Sequence, residues 1–451
     1  MPEFDLLVTR ARLISTADDV REDAWLAVRD GRVADLGVGA PPATSAPVHD
    51  VAGAFVAPGF VSSHSHLATS GSRGLANDEP LYGWCEQMYG VTRDAGPEDV
   101  YWCTLHGAFD VLGAGITTAW DFTEKRSTWE PMVEGGRAAP GRLREPAFLR
   151  RQLEAKLDAG LRFIHAIYLD EGHGDEAEVI ARFEEALADV RGALSDRVLG
   201  AAIAGGQQWS ASPRTAEIEA GLMARHGILN QSHLLETPVR IDLQREKFRW
   251  YRDAGALGPR MLFGHFVHAG DEIIREAAAA GAGLSWQPTA NGRLGSGIAD
   301  VRSWRAHGAR IGLGIDDQAC TDLADPWQNM RMGLYAVRAA AQDPTALGAA
   351  DVFRMHTIGA ADLMGVGDEI GTLEIGKRAD FVVVDPRRPD VGPVWDPIGT
   401  YVLACGTRNL RETWVGGERV VADGVAVSPL ATEAARQIHE RLPRLRAGGK
   451  P

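Results

Sequence analysis

The chain has 451 residues, 24 % of them charged and 45 % aliphatic, aromatic or sulfur-bearing, the proportions of a folded protein and not of a disordered one. Its 61 Asp and Glu against 47 Lys and Arg give a formal charge of −14, which suits a nucleic-acid polymer poorly as a partner. No run reaches the roughly 18 apolar residues of a membrane span, Met1 to Asp5 lack a basic-then-apolar secretory pattern, and Cys85, Cys103, Cys320 and Cys405 are too scattered for a disulfide framework, so a reducing cytoplasm is the expected setting.

The first 56 residues read as short strands. Asp5–Val8, Ala24–Arg29 and Arg32–Leu36 mix β-branched and polar residues, and Asp30-Gly31 between the last two is a hairpin signal. Ala40–Pro47 reads as a loop. From Ala57 onward, short apolar runs alternate with longer helical patterns. The runs are Ala57–Ser62, Gly115–Trp120, Phe163–Tyr168, Val198–Ile203, Ile228–Ser232, Met261–Phe266, Gly283–Trp286 and Arg310–Gly314. The helical patterns include Pro97–Leu112, Glu176–Ala193, Thr215–His226, Asp271–Ala280 and Asp300–His307. Strands alternating with helices imply a parallel sheet. Eight such strands over about 300 residues suit a closed (β/α)8 barrel of the TIM type. An open doubly wound sheet is the rival, but no GxGxxG or P-loop follows a strand. The far end returns to strands: Asp380–Val384, then Glu412–Val415 and Arg419–Val421 around Gly416-Gly417. The predicted fold is therefore α/β, with a barrel over 58–367 and a small β-sandwich domain built from both chain ends, 1–57 plus 368–451.

Histidines concentrate where such a barrel places its chemistry, at the C-terminal ends of strands. In Ser63-His64-Ser65-His66 the two imidazoles are two residues apart, hence on one face of a strand, and can hold one divalent metal. His233, with Glu236 three residues on, follows the strand ending at Ser232. His265, with His268 nearby, ends another, and Asp316-Asp317 follow the last. Three or more imidazoles and a carboxylate make a shell for Zn²⁺ or Fe²⁺ with room for water.

These residues resemble the amidohydrolase superfamily, in the branch of cytosine deaminase, S-adenosylhomocysteine and methylthioadenosine deaminase, guanine deaminase and the triazine hydrolases. Pro58–His66 resembles its PGF-x-x-x-H-x-H, and Arg73-Gly74-Leu75 with Trp84 its RGL…W stretch. Gly115–Asp121 resembles G-x-T-T-x-x-D, and His233–Thr237 resembles H-x-x-E-T. Pro288–Asn291 with Gly295–Gly297, and Gly371–Val384, match further segments. The resemblance implies that His64, His66, His233 and Asp316 are the metal ligands. It implies Glu236 as proton shuttle and His265 beside the metal, with Asp316 also taking the proton of the water. The nucleophile would be metal-bound hydroxide, because a metal lowers the pKa of its water to about 7. Binuclear relatives carry a carbamylated lysine on a middle strand. The chain has five lysines (Lys125, Lys156, Lys247, Lys377 and Lys450), none of them in Phe163–Tyr168 or Val198–Ile203. One metal, Zn²⁺ with Fe²⁺ as alternative, is therefore expected.

Several positions depart from the family pattern. Ile315 stands where Thr precedes the ligand Asp, Ala290 where Ser precedes Asn291, and Trp286 where His is common. Gly205–Trp209 lacks the usual proline and histidine. All fall around the substrate pocket, for which Trp84, Gln208, Trp209, Trp286, Asn291 and Asp317 are the candidates, since flat heterocycles pack well on aromatic faces. Structural readings suffice for His165, for His268 as a helix cap (with lining of the pocket as the alternative), and for Arg436–Arg446 as a solvated helix (with packing on the barrel or on a partner subunit as the alternative). The expected activity is deamination of an amino-substituted nitrogen heterocycle. The alternatives are loss of chloride or alkylamine from a triazine, opening of a ring amide, or a non-catalytic scaffold. A small heterocyclic substrate is the expected partner, and the family's habit implies a homo-oligomer.

Overall fold

The computed structural model describes residues 3–133, 136, 137 and 141–448. The limits of the β domain at residues 1 and 451 lie outside them. One sheet is parallel throughout. Its strands are Phe60–His66, Ile116–Phe122, Arg162–Ile167, Val198–Gly205, Asn230–Leu234, Met261–His265, Gly283–Trp286 and, in two pieces, Ile311–Leu313 and Asp316–Asp317. The first piece of the eighth strand pairs with Gly283–Trp286 and the second pairs with Phe60–His66. The sheet thus closes on itself as a barrel, and Ile315 N donates to Ser62 Oγ across the seam at 3.1 Å. Val61, Trp120, Ile164, Ala202 and Leu262 fill the interior. Ala360 and Leu363 of the helix Ile358–Leu363 join the same cluster.

The second sheet runs Val425–Ala426, Glu418–Ala422, Leu410–Val415, Phe381–Val384, Phe55–Pro58, Leu6–Thr16, Asp19–Arg29 and Arg32–Val38, with Val48–Asp50 beside Leu6–Thr16. It is built from both chain ends and forms a sandwich-like domain around Val8, Leu13, Leu26, Val56, Phe381 and Val383. Both expected hairpin turns have left-handed backbone at their two central residues: Asp30 and Gly31 (φ 50° and 70°), and Gly416 and Gly417 (60° and 74°). That geometry matches the twist of the strands they join.

One expected strand is divided. Ala57–Ser62 splits at Gly59, with Phe55–Pro58 in the second sheet and Phe60–His66 in the barrel. A Cβ at Gly59 would stand 2.3 Å from the Thr117 side chain, so the joint accepts only glycine. The two sheets are fastened by a buried bidentate pair, Arg162 Nε and Nη2 on Asp380, both at 2.8 Å. The C-terminal helix Leu430–Gly448 is not wholly solvated: Ile438 and Leu442 pack on Val91 and Cys103. No helix among the described residues is long and apolar enough to cross a membrane.

Candidate metal centre and active site

The first barrel strand does not simply alternate. Ser62 pairs with Ala119 and Ser65 with Asp121, so three steps on this strand face two on its neighbour. Such a bulge shifts the phase of alternation. Val61 already faces the interior, so strict alternation would send His64 and His66 outward. The bulge turns both inward, onto the Phe122 ring at 4.5 and 4.9 Å between centroids. Ser62 Oγ, which bonds the carbonyl of His64, holds the bulge.

Three Nε2 atoms then meet. His64 and His233 are 3.1 Å apart, His66 and His233 3.1 Å, and His64 and His66 3.2 Å. Asp316 Oδ1 lies 3.3 Å from His64 Nε2 and 3.7 Å from His66 Nε2. His265 approaches from the other side, with its Nε2 at 3.8 Å from Asp316 Oδ2. One ligand atom each of His64, His233, His265 and Asp316 lies within 4.8 Å of the others. With His66 added, five groups of four strands converge on one point.

The donor set fits a divalent cation. Metal–nitrogen bonds of about 2.0–2.1 Å in a tetrahedron place ligand atoms about 3.3–3.4 Å apart, close to the spacings found. The alternative of mutual hydrogen bonding fails, because three neutral imidazoles facing each other cannot all be satisfied. Buried His265 Nε2, which faces Asp316 at 3.8 Å, also has no hydrogen-bond partner. The tautomer of His64 also suits ligation: Gln231 Oε1 accepts from Nδ1 at 2.5 Å, which leaves the Nε2 lone pair free. Burial lowers His66 and His265 to about 3 and His233 well below its ordinary value, so the imidazoles stay neutral. Burial pushes Asp316 up, but His265, His64 and His66 outweigh it and hold its carboxylate low.

Glu236 sits beside this cluster with Oε1 3.6 Å from His265 Nδ1, and its Oε2 has no partner. Burial, followed by the charge of Asp316, raises its pKa well above the carboxylate range, and the neighbouring Gln208 opposes the rise. Such a carboxyl can both hold and deliver a proton near neutral pH. Left-handed backbone recurs at these strand ends: Leu235 (φ 53°), His265 (64°) and Asp316 (66°). Side chains with Cβ adopt it at about 1–3 kcal/mol each, and it concentrates at functional sites.

A small cavity opens over the cluster. Of the pocket candidates, Trp84, Trp209 and Asp317 line it. Asp317 also caps the short helix Gln318–Thr321 through Ala319 N. Gln208 is buried behind Glu236. Trp286 is not brought to the cavity: its ring packs over Gly333, where a Cβ would meet it at 2.7 Å. Asn291 is likewise not among the walls of this cavity; its Nδ2 donates to His265 Nδ1 at 2.9 Å. In that orientation the His265 proton resides on Nε2, aimed into the site. His268 does not cap a helix but donates to the carbonyl of Ser296 at 2.8 Å. Tyr168, Cys85 and Cys320 also line the cavity. Tyr168 ends a predicted strand, so its position was readable; nothing local marks the two cysteines.

Asn291→Ala is expected to lower kcat about 10- to 100-fold with metal content unchanged, because it frees the His265 ring without removing it. Steady-state kinetics with metal analysis on the same sample checks this.

Comparison with known proteins places the chain. It is 28 % identical to a 5-methylthioadenosine/S-adenosylhomocysteine deaminase of Syntrophobacter fumaroxidans over 93 % of both chains. It is 24 % identical to a 5'-deoxyadenosine deaminase of Methanothermobacter thermautotrophicus, over 94 % of this chain and 95 % of that one. Among solved structures, a zinc-bound adenosine deaminase from Xanthomonas campestris matches with TM-score 0.85, 22 % identity and 99 % coverage of both chains. A zinc-complexed atrazine chlorohydrolase from Arthrobacter aurescens matches with TM-score 0.80 and 22 % identity, over 97 % of this chain and 100 % of that one. The model of the amidohydrolase family matches residues 55–420. The chain belongs to the amidohydrolase family.

Proposed function

We propose that this protein is a mononuclear metal-dependent deaminase of an amino-substituted nitrogen heterocycle. The observation that carries the reading is Glu236, a buried carboxyl of raised pKa facing the same cavity as the imidazole–carboxylate cluster. An amine leaves only when protonated, and a group able to gain and give a proton at neutral pH is what that requires. The names of the relatives add that the heterocycle is first to be sought among adenine nucleosides.

His64, His66, His233 and Asp316 are proposed to hold the ion. Zn²⁺ is the first choice, and Fe²⁺ suits the same donors. Bound there, the ion supplies Lewis-acid activation of water. The chain's own groups do the rest. Trp84 and Trp209 hold the flat ring in the cavity. Asp316 accepts the proton of the attacking water. Glu236 protonates a ring nitrogen, which makes the adjacent carbon electrophilic. His265, held by Asn291, donates from Nε2 to the oxygen that adds at that carbon. Glu236, left as a carboxylate, takes the proton of the added hydroxyl and passes it to the amino group, the carbon–nitrogen bond breaks as the carbonyl forms, ammonia leaves, and the proton held by Asp316 returns to Glu236. Overall, the amino heterocycle and water become the oxo heterocycle and ammonia.

Zinc-loaded protein assayed against amino-purines, amino-pyrimidines, pterins and triazines is expected to release ammonia from one class. Release of chloride or alkylamine from a triazine, with no ammonia from any member, would overturn the reading.

A further inference from the structure

We propose that Asp121 and Lys156 form a positioning pair for the metal centre, a buried ion pair outside the barrel wall that fixes the backbone directly after His66. It rests on reading the imidazole–carboxylate cluster as a metal centre. Asp121 belongs to the second barrel strand, between Trp120 and Phe122, which face the interior; its side chain therefore faces the helix Ala147–Ala159. There Lys156 Nζ donates to Asp121 Oδ2 at 2.5 Å and to His165 Nδ1 at 2.9 Å. The other carboxylate oxygen, Oδ1, accepts the backbone N–H of Leu67 at 3.0 Å. Asp121 is 1 % exposed, Lys156 0 % and His165 1 %.

Packing alone does not account for this pair. Burying two charges costs desolvation that an apolar pair of the same volume avoids, so buried ion pairs are weak stabilisers. What an apolar pair cannot supply is an acceptor for Leu67 N–H, which Asp121 provides and Lys156 holds in place. Leu67 follows His66 and opens the turn Leu67–Ser72, in which Thr69 Oγ1 returns to the carbonyl of His66 at 2.8 Å. The second strand thus grips His66 twice. The Phe122 ring stacks on its imidazole (4.9 Å, 16°), and Asp121 holds the amide that follows. His66 Nε2 needs that grip, since it meets two other imidazole nitrogens at 3.1 and 3.2 Å. Lys156 keeps the carboxylate aimed, and His165 keeps the ammonium in place.

Two double variants separate positioning from packing. Asp121→Asn with Lys156→Met removes both charges and keeps an acceptor for Leu67 N–H. Asp121→Leu with Lys156→Met removes the acceptor as well. Zinc affinity of the metal-free proteins, by chelator competition, is expected to stay within about 3-fold of the parent in the first and to fall about 10- to 100-fold in the second. The single variant Asp121→Asn leaves Lys156 unpaired, and is expected to lower the unfolding midpoint while zinc affinity holds. It supplies the test if the leucine variant does not fold. Equal zinc affinity in the two doubles, or an affinity that follows the unfolding midpoint across all three, would overturn the proposal. A parent that binds no zinc defeats the metal-centre reading itself, an outcome read on a different protein from the contrast between variants.

Discussion

Glu236→Gln is expected to bind its metal normally and to release ammonia about 10²- to 10⁴-fold more slowly than the parent, the span that general acid–base groups contribute. The substitution keeps shape and neighbours. Gln fits the same buried volume beside Gln208 and His265, so folding and the cavity walls are preserved. It cannot move a proton. The loss should therefore appear in kcat, with KM nearly unchanged, because Trp84 and Trp209 still hold the ring. A halide leaving group gives the control, since chloride departs without a proton. A Glu236→Gln protein that deaminates at the parent rate, with metal confirmed, would remove Glu236 from the mechanism.

The metal-stripped protein is expected to lose all activity and to unfold at a lower temperature, with both properties returning on addition of one equivalent of Zn²⁺. An ion present at 100 times its Kd stabilises the folded chain by about 2.7 kcal/mol. Here the ion also relieves the crowding of the His64, His66 and His233 Nε2 atoms, 3.1–3.2 Å apart. His233→Ala is expected to reproduce the stripped state in the presence of zinc, since it deletes a nitrogen 3.1 Å from both His64 and His66. Calorimetry with and without chelator reads the stability, and atomic absorption reads the ion. Full activity after exhaustive chelation would sink the metal reading.

The sequence showed the site more clearly than its supports. His64, His66, His233, Glu236, His265 and Asp316 each stand at or just past the end of a predicted strand, and the barrel brings all six together. Their positions were legible because strand period and barrel topology are local and regular. Irregular backbone was not. The bulge between Ser62 and Ser65 depends on pairing with Ala119 and Asp121, which no window of sequence contains. The division of Ala57–Ser62 at Gly59 arises from contact with Thr117, a residue far along the chain. Their place beside the Gln287-Pro288 segment makes Trp286 and Asn291 candidates for the pocket. Trp286 packs on Gly333 and Asn291 bonds to His265 instead. Helices such as Leu81–Thr92, Ala147–Ala159, Ile241–Asp253 and Pro326–Ala341 were not singled out, and Lys156 enters the account only through one of them.

The seam of the barrel sets an order of events. Asp316 and Asp317 pair the last strand with the first, and the bond from Ile315 to Ser62 spans 253 positions. A chain still on the ribosome, synthesised as far as the seventh strand, already contains His64, His66, His233 and His265. It lacks the carboxylate, and its first strand still has an unpaired edge. Contacts this distant in sequence form late. The ring must therefore close before the whole cluster exists. The proposed ion would then load only onto a closed ring, after the last strand has docked on the first.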